Sequence, residues 1–205
     1  MRWVHSTINL YEPIDSSALL KKIEFAGRTC YRSFDRMSDN MAGTETFIAN
    51  AIKRGHESIL EHVNITFQVI CSRDVLAQWT RHRIASYSVE SQRYCNYTKD
   101  KYDGLVFIMP EGVTDEMATE IEEAMRQDEV YYNRLIEIGA KPEQARAELG
   151  NCTKTEFIWT ANIREIRHFI KLRTAPGAQP DIVKLATQLK NLLIENNLGV
   201  LVNDL

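Results

Sequence analysis

No apolar run in this chain approaches the ~20 residues needed to span a bilayer, and no CxxC pair or zinc-finger His–Cys spacing occurs. The four cysteines, Cys30, Cys71, Cys95 and Cys152, are scattered, which predicts reduced, mostly buried thiols in an intracellular protein. The N-terminal Met-Arg-Trp-Val-His-Ser lacks the apolar core of a signal peptide, so the expected location is cytoplasmic. Nothing is rich enough in Pro, Gly or Ser to serve as a linker, and there is no repeat. Residues 1–205 are therefore expected to form a single domain. A dinucleotide glycine fingerprint is also missing, so no docking place for such a cofactor is marked. The formal net charge of −3 argues against a general binder of nucleic acid or of membranes. It leaves room for a basic pocket.

What is present is concentrated in residues 78–94, which hold Arg81, His82, Arg83 and Arg93 with Ser86, Ser88 and Ser91, and only one acid, Glu90. By composition this run could be a solvated basic surface. Its spacing is more particular: Arg81-His82-Arg83, seven further residues, then Ser91 and Arg93-Tyr94.

Around it the periodicities are clear. Residues 16–30 predict a helix opening on Ser-Ser, with Leu19, Leu20, Ile23 and Phe25 as apolar positions; residues 44–54 predict another, ended by Gly55. Residues 63–71 alternate, with Val63, Ile65, Phe67, Val69 and Cys71 on one face, as a half-buried strand does. A helix is expected over 73–82 with Val75, Leu76 and Trp79 inward, and Gln78 and Arg81 projecting together. The serines after Arg83 favour a loop or edge strand. A short strand over 105–109 precedes a long helix capped by Thr114, with Met117, Ile121, Met125, Tyr131, Leu135 and Ile138 as its stripe. Pro142 starts a short helix bearing Arg146. A strand over 154–161 places Phe157, Trp159 and Ala161 together, and a helix over 162–173 repeats Ile163, Ile166, Ile170 and then Arg173. A guanidinium where the series calls for an apolar residue either snorkels at the helix end or reaches into a pocket. Arg164 and His168, four apart, could grip one ligand. An amphipathic helix over 181–196 follows a turn.

In Gly55-His56-Glu57-Ser58-Ile59-Leu60-Glu61-His62 the two histidines lie six apart, which does not stack them on one helical face, and no HExxH order occurs. This segment, the central motif, Arg146, and Asn162-x-Arg164 leading to Leu172-Arg173 and Ala178-Gln179 together resemble the flavin-dependent thymidylate synthases. The resemblance implies an α/β fold of the α+β type, with a central antiparallel sheet flanked by long helices, assembled as a homotetramer with shared active sites. It also implies reductive methylation of deoxyuridylate (dUMP) to deoxythymidylate. Methylenetetrahydrofolate would supply carbon, NADPH the reducing equivalents and FAD the redox cofactor, with no metal and no covalent enzyme nucleophile. On that footing Gln78, Arg81, Val89, Glu90, Ser91, Gln92, Arg93, Arg146 and Arg173 would contact dUMP. Ser58, Arg81, His82, Arg83, Val89, Asn162, Arg164 and His168 would contact FAD. Arg173 would be the catalytic residue, set against the uracil edge to favour ionisation at N3.

Three departures stand out. Many relatives have Asn-Glu where this chain has Ser88-Val89, and here the carboxylate falls one position later, at Glu90. Gly177 replaces a histidine of some relatives, and Pro180 a tryptophan. Ser91 and Cys95 are alternative nucleophiles, although no His–carboxylate pair in the sequence marks an activated serine. Three other functions fit the same residues: a non-catalytic nucleotide-binding module, a nucleic-acid-binding domain, and a flavoprotein reductase acting on another substrate.

Overall fold

The computed structural model describes residues 2–102 and 104–205. In chain order the elements are β1 (Arg2–Trp3), β2 (Thr7–Leu10), α1 (Ser16–Thr29), α2 (Met41–Lys53), β3 (Asn64–Ser72), α3 (Arg73–Trp79) and β4 (Ala85–Val89). Then follow β5 (Val106–Phe107), α4 (Asp115–Glu137), α5 (Pro142–Ala145), β6 (Lys154–Asn162), α6 (Ile163–Arg173) and α7 (Pro180–Glu195). Strands and helices mix around an antiparallel sheet, as expected, and its strand order is β2-β3-β6-β4. The contacts divide the chain into two compact units, one of Met1–Thr7, Gln68–Arg81 and Tyr87–Ile158, the other of Ile8–Phe67, His82–Ser86 and Trp159–Leu205.

The first unit is built on α4. Thr114 caps this helix as expected, its hydroxyl accepting from Met117 N at 3.2 Å, which satisfies one of the N–H groups a helix start leaves unpaired. Met125 and Tyr132 are buried, in one cluster with Leu105, Phe107, Tyr97 and Ala145. The stripe is therefore Ile121, Met125, Tyr132 and Leu135, whereas Met117, Tyr131 and Ile138 are exposed. Tyr132 lies seven residues after Met125, two helical turns, and of the adjacent tyrosines it is the one the period selects. Thr114→Ala is expected to destabilise this unit by about 1 kcal/mol, seen as a lower urea midpoint at unchanged slope. The predicted 105–109 strand shrinks to β5, which pairs in parallel with β1 (Arg2 with Val106, Trp3 with Phe107). In α3, Val75, Leu76 and Trp79 are buried as predicted, but the helix stops at Trp79. Thr80 turns its hydroxyl to Ala77 O (3.3 Å), and the Tyr87 hydroxyl donates to Trp79 O (3.0 Å), occupying the carbonyl that a further helical turn would need. Arg81 thus lies in the turn beyond the helix rather than beside Gln78 on its face.

The second unit holds α1, α2, α6 and α7, with α1 packed on α2 and α6 on α7. Leu20 and Ile23 are buried, while Phe25, expected inward, is 55% exposed. The α1–α2 approach is close at Gly27, where a Cβ would meet Phe47 Cζ at 2.7 Å. Helix α2 starts three residues earlier than expected because Asn40 caps it, accepting from Gly43 N (2.9 Å). Gly55 ends it with φ +73°, a conformation that costs glycine little. The inward face of β3 is as predicted, Val63 through Cys71. Phe67 stacks on Trp159 (5.5 Å between centroids), and Trp159 meets Phe169 (5.3 Å). Among the described residues no helix is long and apolar enough to cross a membrane.

No cysteine among the described residues forms a disulfide, yet only Cys71 is fully buried and Cys30 is exposed, so the expectation of mostly buried thiols is corrected. Cys30 lies one residue past the end of α1, where the chain leaves the packed face. Burial pushes the Cys71 thiol far above its usual range, which suits core packing rather than nucleophilic work.

Candidate functional site

The residues singled out in sequence fall into two groups, one in each unit. In the second unit the centre is His82, 3% exposed. Its Nδ1 lies 3.3 Å from Glu165 Oε1, and Arg173 Nε donates to its Nε2 at 3.0 Å. Phe169 meets the ring edge-on at 4.8 Å. Burial first, then the charges of Arg173 and His168, push the His82 pKa down to about 4. The imidazole is neutral at physiological pH, and since Nε2 accepts from a guanidinium, the proton sits on Nδ1 and is directed at Glu165. Burial in turn raises the Glu165 pKa, with His168 partly opposing it. Arg173 closes the predicted Ile163, Ile166, Ile170 series at the end of α6. Its guanidinium is neither loose on the surface nor buried without a partner.

Glu165 was not singled out in the sequence, though a signal existed. Asn162 caps α6, its Oδ1 accepting from Glu165 N (2.9 Å), and Asn-x-x-Glu is the pattern of a capping box. Here the carboxylate turns to His82 instead of back to the cap.

Asn162, Arg164 and His168 line one cavity of about 970 Å³, with Ile84, Lys171 and Thr174. Arg164 is held by Glu61 (2.5 Å) and stands 3.9 Å from Glu57. Arg167, also at this cavity, is engaged by Asp204 (2.7 Å) and Glu57 (3.2 Å). Its lining is mixed in charge, with Glu57, Glu61, Glu165 and Asp204 beside Arg164, Arg167 and Lys171, and its volume is of the size that takes a small-molecule ligand. Ser58 belongs to a different cavity on the other side of the same short 3-10 turn, Glu57–His62. Arg83 is exposed in the segment before β4. The structure therefore groups Asn162, Arg164 and His168, and sets Ser58 and Arg83 apart from them.

In the first unit, Arg93 bonds the Glu143 carboxylate directly, and Arg146 acts on it only through its charge. Arg93 Nε donates to Glu143 Oε2 at 2.8 Å, and this bond, with the charges of Arg93, Lys141 and Arg146, holds the Glu143 carboxyl below its usual range. The Arg93 guanidinium thus holds one exposed anion that a phosphate could replace. Ser91 shapes the turn: its Oγ accepts from Arg93 N (3.3 Å) and its carbonyl from Cys95 N (2.9 Å). Gln92 is 8% exposed with its Nε2 buried and unpartnered among the described residues, a costly state that a ligand oxygen would relieve. Gln78 is half-buried near the end of α3, Arg81 is exposed in the turn after it, and Val89 ends β4 at the surface.

Glu90 is committed elsewhere. Its carboxylate accepts from the Tyr97 hydroxyl (2.8 Å) and from Lys154 Nζ (2.8 Å), and Lys154 reaches Glu156 as well (3.2 Å). Burial works against the Lys154 ammonium, but Glu90 and then Glu156 outweigh it and raise its pKa. The carboxylate at Glu90 thus has a structural destination, a half-buried ion pair joined by a tyrosine. Among the described residues no three His, Cys, Asp or Glu side chains converge as metal ligands.

The family described as "Thymidylate synthase complementing protein" matches residues 14–196. A protein named "Probable flavin-dependent thymidylate synthase" from Mycobacterium phage L5 is 38% identical over 184 residues, covering 81% of this chain and 72% of its own. The flavin-dependent thymidylate synthase of Pyrococcus furiosus is 34% identical over 180 residues, 86% of this chain and 72% of its own. That of Geobacter sulfurreducens is 35% identical over 178 residues, 83% of this chain and 75% of its own.

Proposed function

Because the chain belongs to the thymidylate synthase complementing protein family, we propose that it is a flavin-dependent thymidylate synthase, a methyltransferase and flavoprotein of the cytoplasm. It converts dUMP to deoxythymidylate, with 5,10-methylenetetrahydrofolate as carbon donor and NADPH as reductant through FAD. The same proposal takes residues 1–205 as one functional domain, four copies as the working assembly, and small molecules rather than nucleic acid or membrane as partners.

The observation that carries this reading is the fixed guanidinium of Arg173, held at Nε by a neutral, buried His82. A cation oriented in this way stabilises negative charge developing on a pyrimidine edge, and preorganised charge is the usual source of such rate enhancement. In the first unit, Arg93 and Arg146 supply charge for the nucleotide phosphate, with Gln92 offering a buried donor next to Arg93 in sequence. Gln78, Arg81 and Ser91 complete the nucleotide set, to which Val89 and Glu90 contribute only through backbone. For Glu90 this follows from its side chain being occupied. Asn162, Arg164 and His168 would hold FAD against their cavity, with His82, Arg83 and Ser58 as further contacts. The flavin, when bound, supplies the hydride chemistry, and the protein supplies orientation and exclusion of water. Lack of a covalent nucleophile agrees with the inert Cys71 and with a Ser91 hydroxyl used in its own turn.

The test is the visible absorption spectrum of the purified protein before and after dUMP, followed by an assay for deoxythymidylate. A flavin band that shifts with nucleotide, and product formed only when both folate and NADPH are present, is the expected result. A colourless protein that refuses added FAD and forms no product would sink the proposal.

A further inference from the structure

Glu165, Phe169 and Arg173 follow one another at intervals of four along α6, a spacing that brings side chains to one side of a helix. The His82 ring lies against all three. Its Nδ1 is 3.3 Å from Glu165 Oε1, its centroid 4.8 Å from that of Phe169, and its Nε2 3.0 Å from Arg173 Nε. His82 and Glu165 are both buried. The glutamate is fixed from its own backbone as well. It stands in the first turn of α6, where Asn162 Oδ1 accepts from its N–H (2.9 Å) and where the unpaired amides of a helix start favour a carboxylate. A glutamate at this position commonly serves the cap by reaching back to it. Glu165 reaches across to the imidazole instead.

Donors and acceptors along this line fit together in one order. A guanidinium Nε–H only donates, and it keeps its proton at every ordinary pH, so His82 Nε2 must present a lone pair to it. The neutral ring has a single N–H, which is then on Nδ1. A buried N–H needs an acceptor, and Glu165 Oε1 is within reach of it. With that oxygen gone, the ring relieves its stranded N–H by moving the proton to Nε2 or by turning over. Either change removes the lone pair on which Arg173 docks, and the guanidinium loses the bond that fixes its plane.

We infer that Glu165 is a positioning residue for the proposed reaction: by accepting from His82 Nδ1 it holds the imidazole in the tautomer that docks Arg173, and so sets the plane in which the guanidinium meets the pyrimidine. The inference rests on the synthase reading, in which Arg173 acts on the substrate. It needs no contact between Glu165 and dUMP or flavin, because the effect passes through two side chains.

The test compares the steady-state kinetics of wild type, Glu165→Ala, Glu165→Gln, Arg173→Ala and the Glu165→Ala/Arg173→Ala double variant. Glu165→Ala is expected to lower kcat about tenfold, the scale of one buried hydrogen bond, with KM for dUMP and flavin content little changed. Glu165→Gln, whose amide oxygen also accepts from Nδ1, should stay within about threefold of wild type. In the Arg173→Ala background Glu165→Ala should add nothing further, because residues that act as one unit are not additive. An alanine variant with wild-type kcat, a glutamine variant as slow as alanine, or a full loss that persists in the double variant overturns the inference while the synthase reading stands. Should alanine fail to fold, Glu165→Met, of similar length but without the oxygen, takes its place in the same comparison. Nitrogen NMR of histidine-labelled protein, with His82 assigned by the signals lost in His82→Gln, gives a readout apart from turnover. The proton is expected on Nδ1 in wild type and to leave it in Glu165→Ala; a proton on Nε2 in wild type overturns the inference. Wild type that forms no deoxythymidylate overturns the synthase reading instead, and the nitrogen spectra then decide whether Glu165 holds the His82–Arg173 bond.

Discussion

Replacing Arg173 by alanine is expected to lower the rate of deoxythymidylate formation about a thousandfold while leaving FAD binding intact. A unit charge about 4 Å from a developing anion at an effective dielectric near 20 contributes roughly 4 kcal/mol. Each 1.36 kcal/mol is a decade in rate, so about three decades are at stake before desolvation takes its share. The variant should lose kcat more than KM, because the interaction strengthens as charge develops on the pyrimidine. Arg173→Lys keeps the charge but gives up the Nε–H directed at His82 Nε2, and its rate should fall between the two. Single-turnover measurements of flavin reoxidation with dUMP and folate, read against the flavin spectrum, separate these cases. Turnover within threefold of wild type in the alanine variant would remove Arg173 from the chemistry.

The second large effect concerns stability. Glu24→Ala should cost about 3–5 kcal/mol, the usual penalty for breaking a buried ion pair from one side. The loss strands Arg28, the Ser38 amide and hydroxyl, and Thr44, all of which donate to this carboxylate. At 2–4 °C per kcal/mol for a chain of this size, the melting temperature would drop by about 6–20 °C. A drop under about 2 °C would show that water replaces the carboxylate at little cost. The pH dependence has a definite sign. Burial pushes the Glu24 carboxyl up, but bonds from Thr44, Arg28 and Ser38 outweigh it and lower its pKa below 4.5. Its contribution is therefore present above pH 4.5 and lost as pH falls through the folded value. His82 acts earlier on the same side: with a folded pKa of about 4 against 6.5, the unfolded chain takes up its proton first, and stability falls between those two values. Both groups make the fold acid-sensitive, and urea titrations between pH 7 and 4 would follow the decline.

Much of this was legible in the sequence because burial here follows simple periods. The alternation from Val63 to Cys71 and the series from Ile163 to Ile170 each fix a buried face, and the structure has them inward. The resemblance carried by the Gly-His-Glu-Ser segment, Arg81-His82-Arg83 and Asn162-x-Arg164 is borne out by the family match over residues 14–196. What escaped is what a one-dimensional pattern cannot weigh. Tyr131 and Tyr132 differ by one step of helical phase, and only packing chooses between them. Arg81 left the helix because a hydroxyl eight residues ahead competes for the Trp79 carbonyl. Glu24 and Glu165 look like ordinary helical acids until their distant partners arrive, Thr44 for one and His82 for the other. Glu90 went to Lys154, which is 64 positions away.

The bond from Tyr87 to Trp79 has a thermodynamic reach beyond ending a helix. It fastens Tyr87, four residues after the arginine–histidine–arginine triplet, to Trp79, two residues before it, a span of eight positions, and so turns that stretch into a tethered ring. A tethered ring has lost most of its chain freedom before any ligand arrives. For the anion contacts proposed for Arg81 and Arg83, less of the binding energy is then consumed in immobilising backbone. Removing one phenolic oxygen would loosen the tether and is expected to weaken the proposed anion contacts by raising the entropy that binding must overcome.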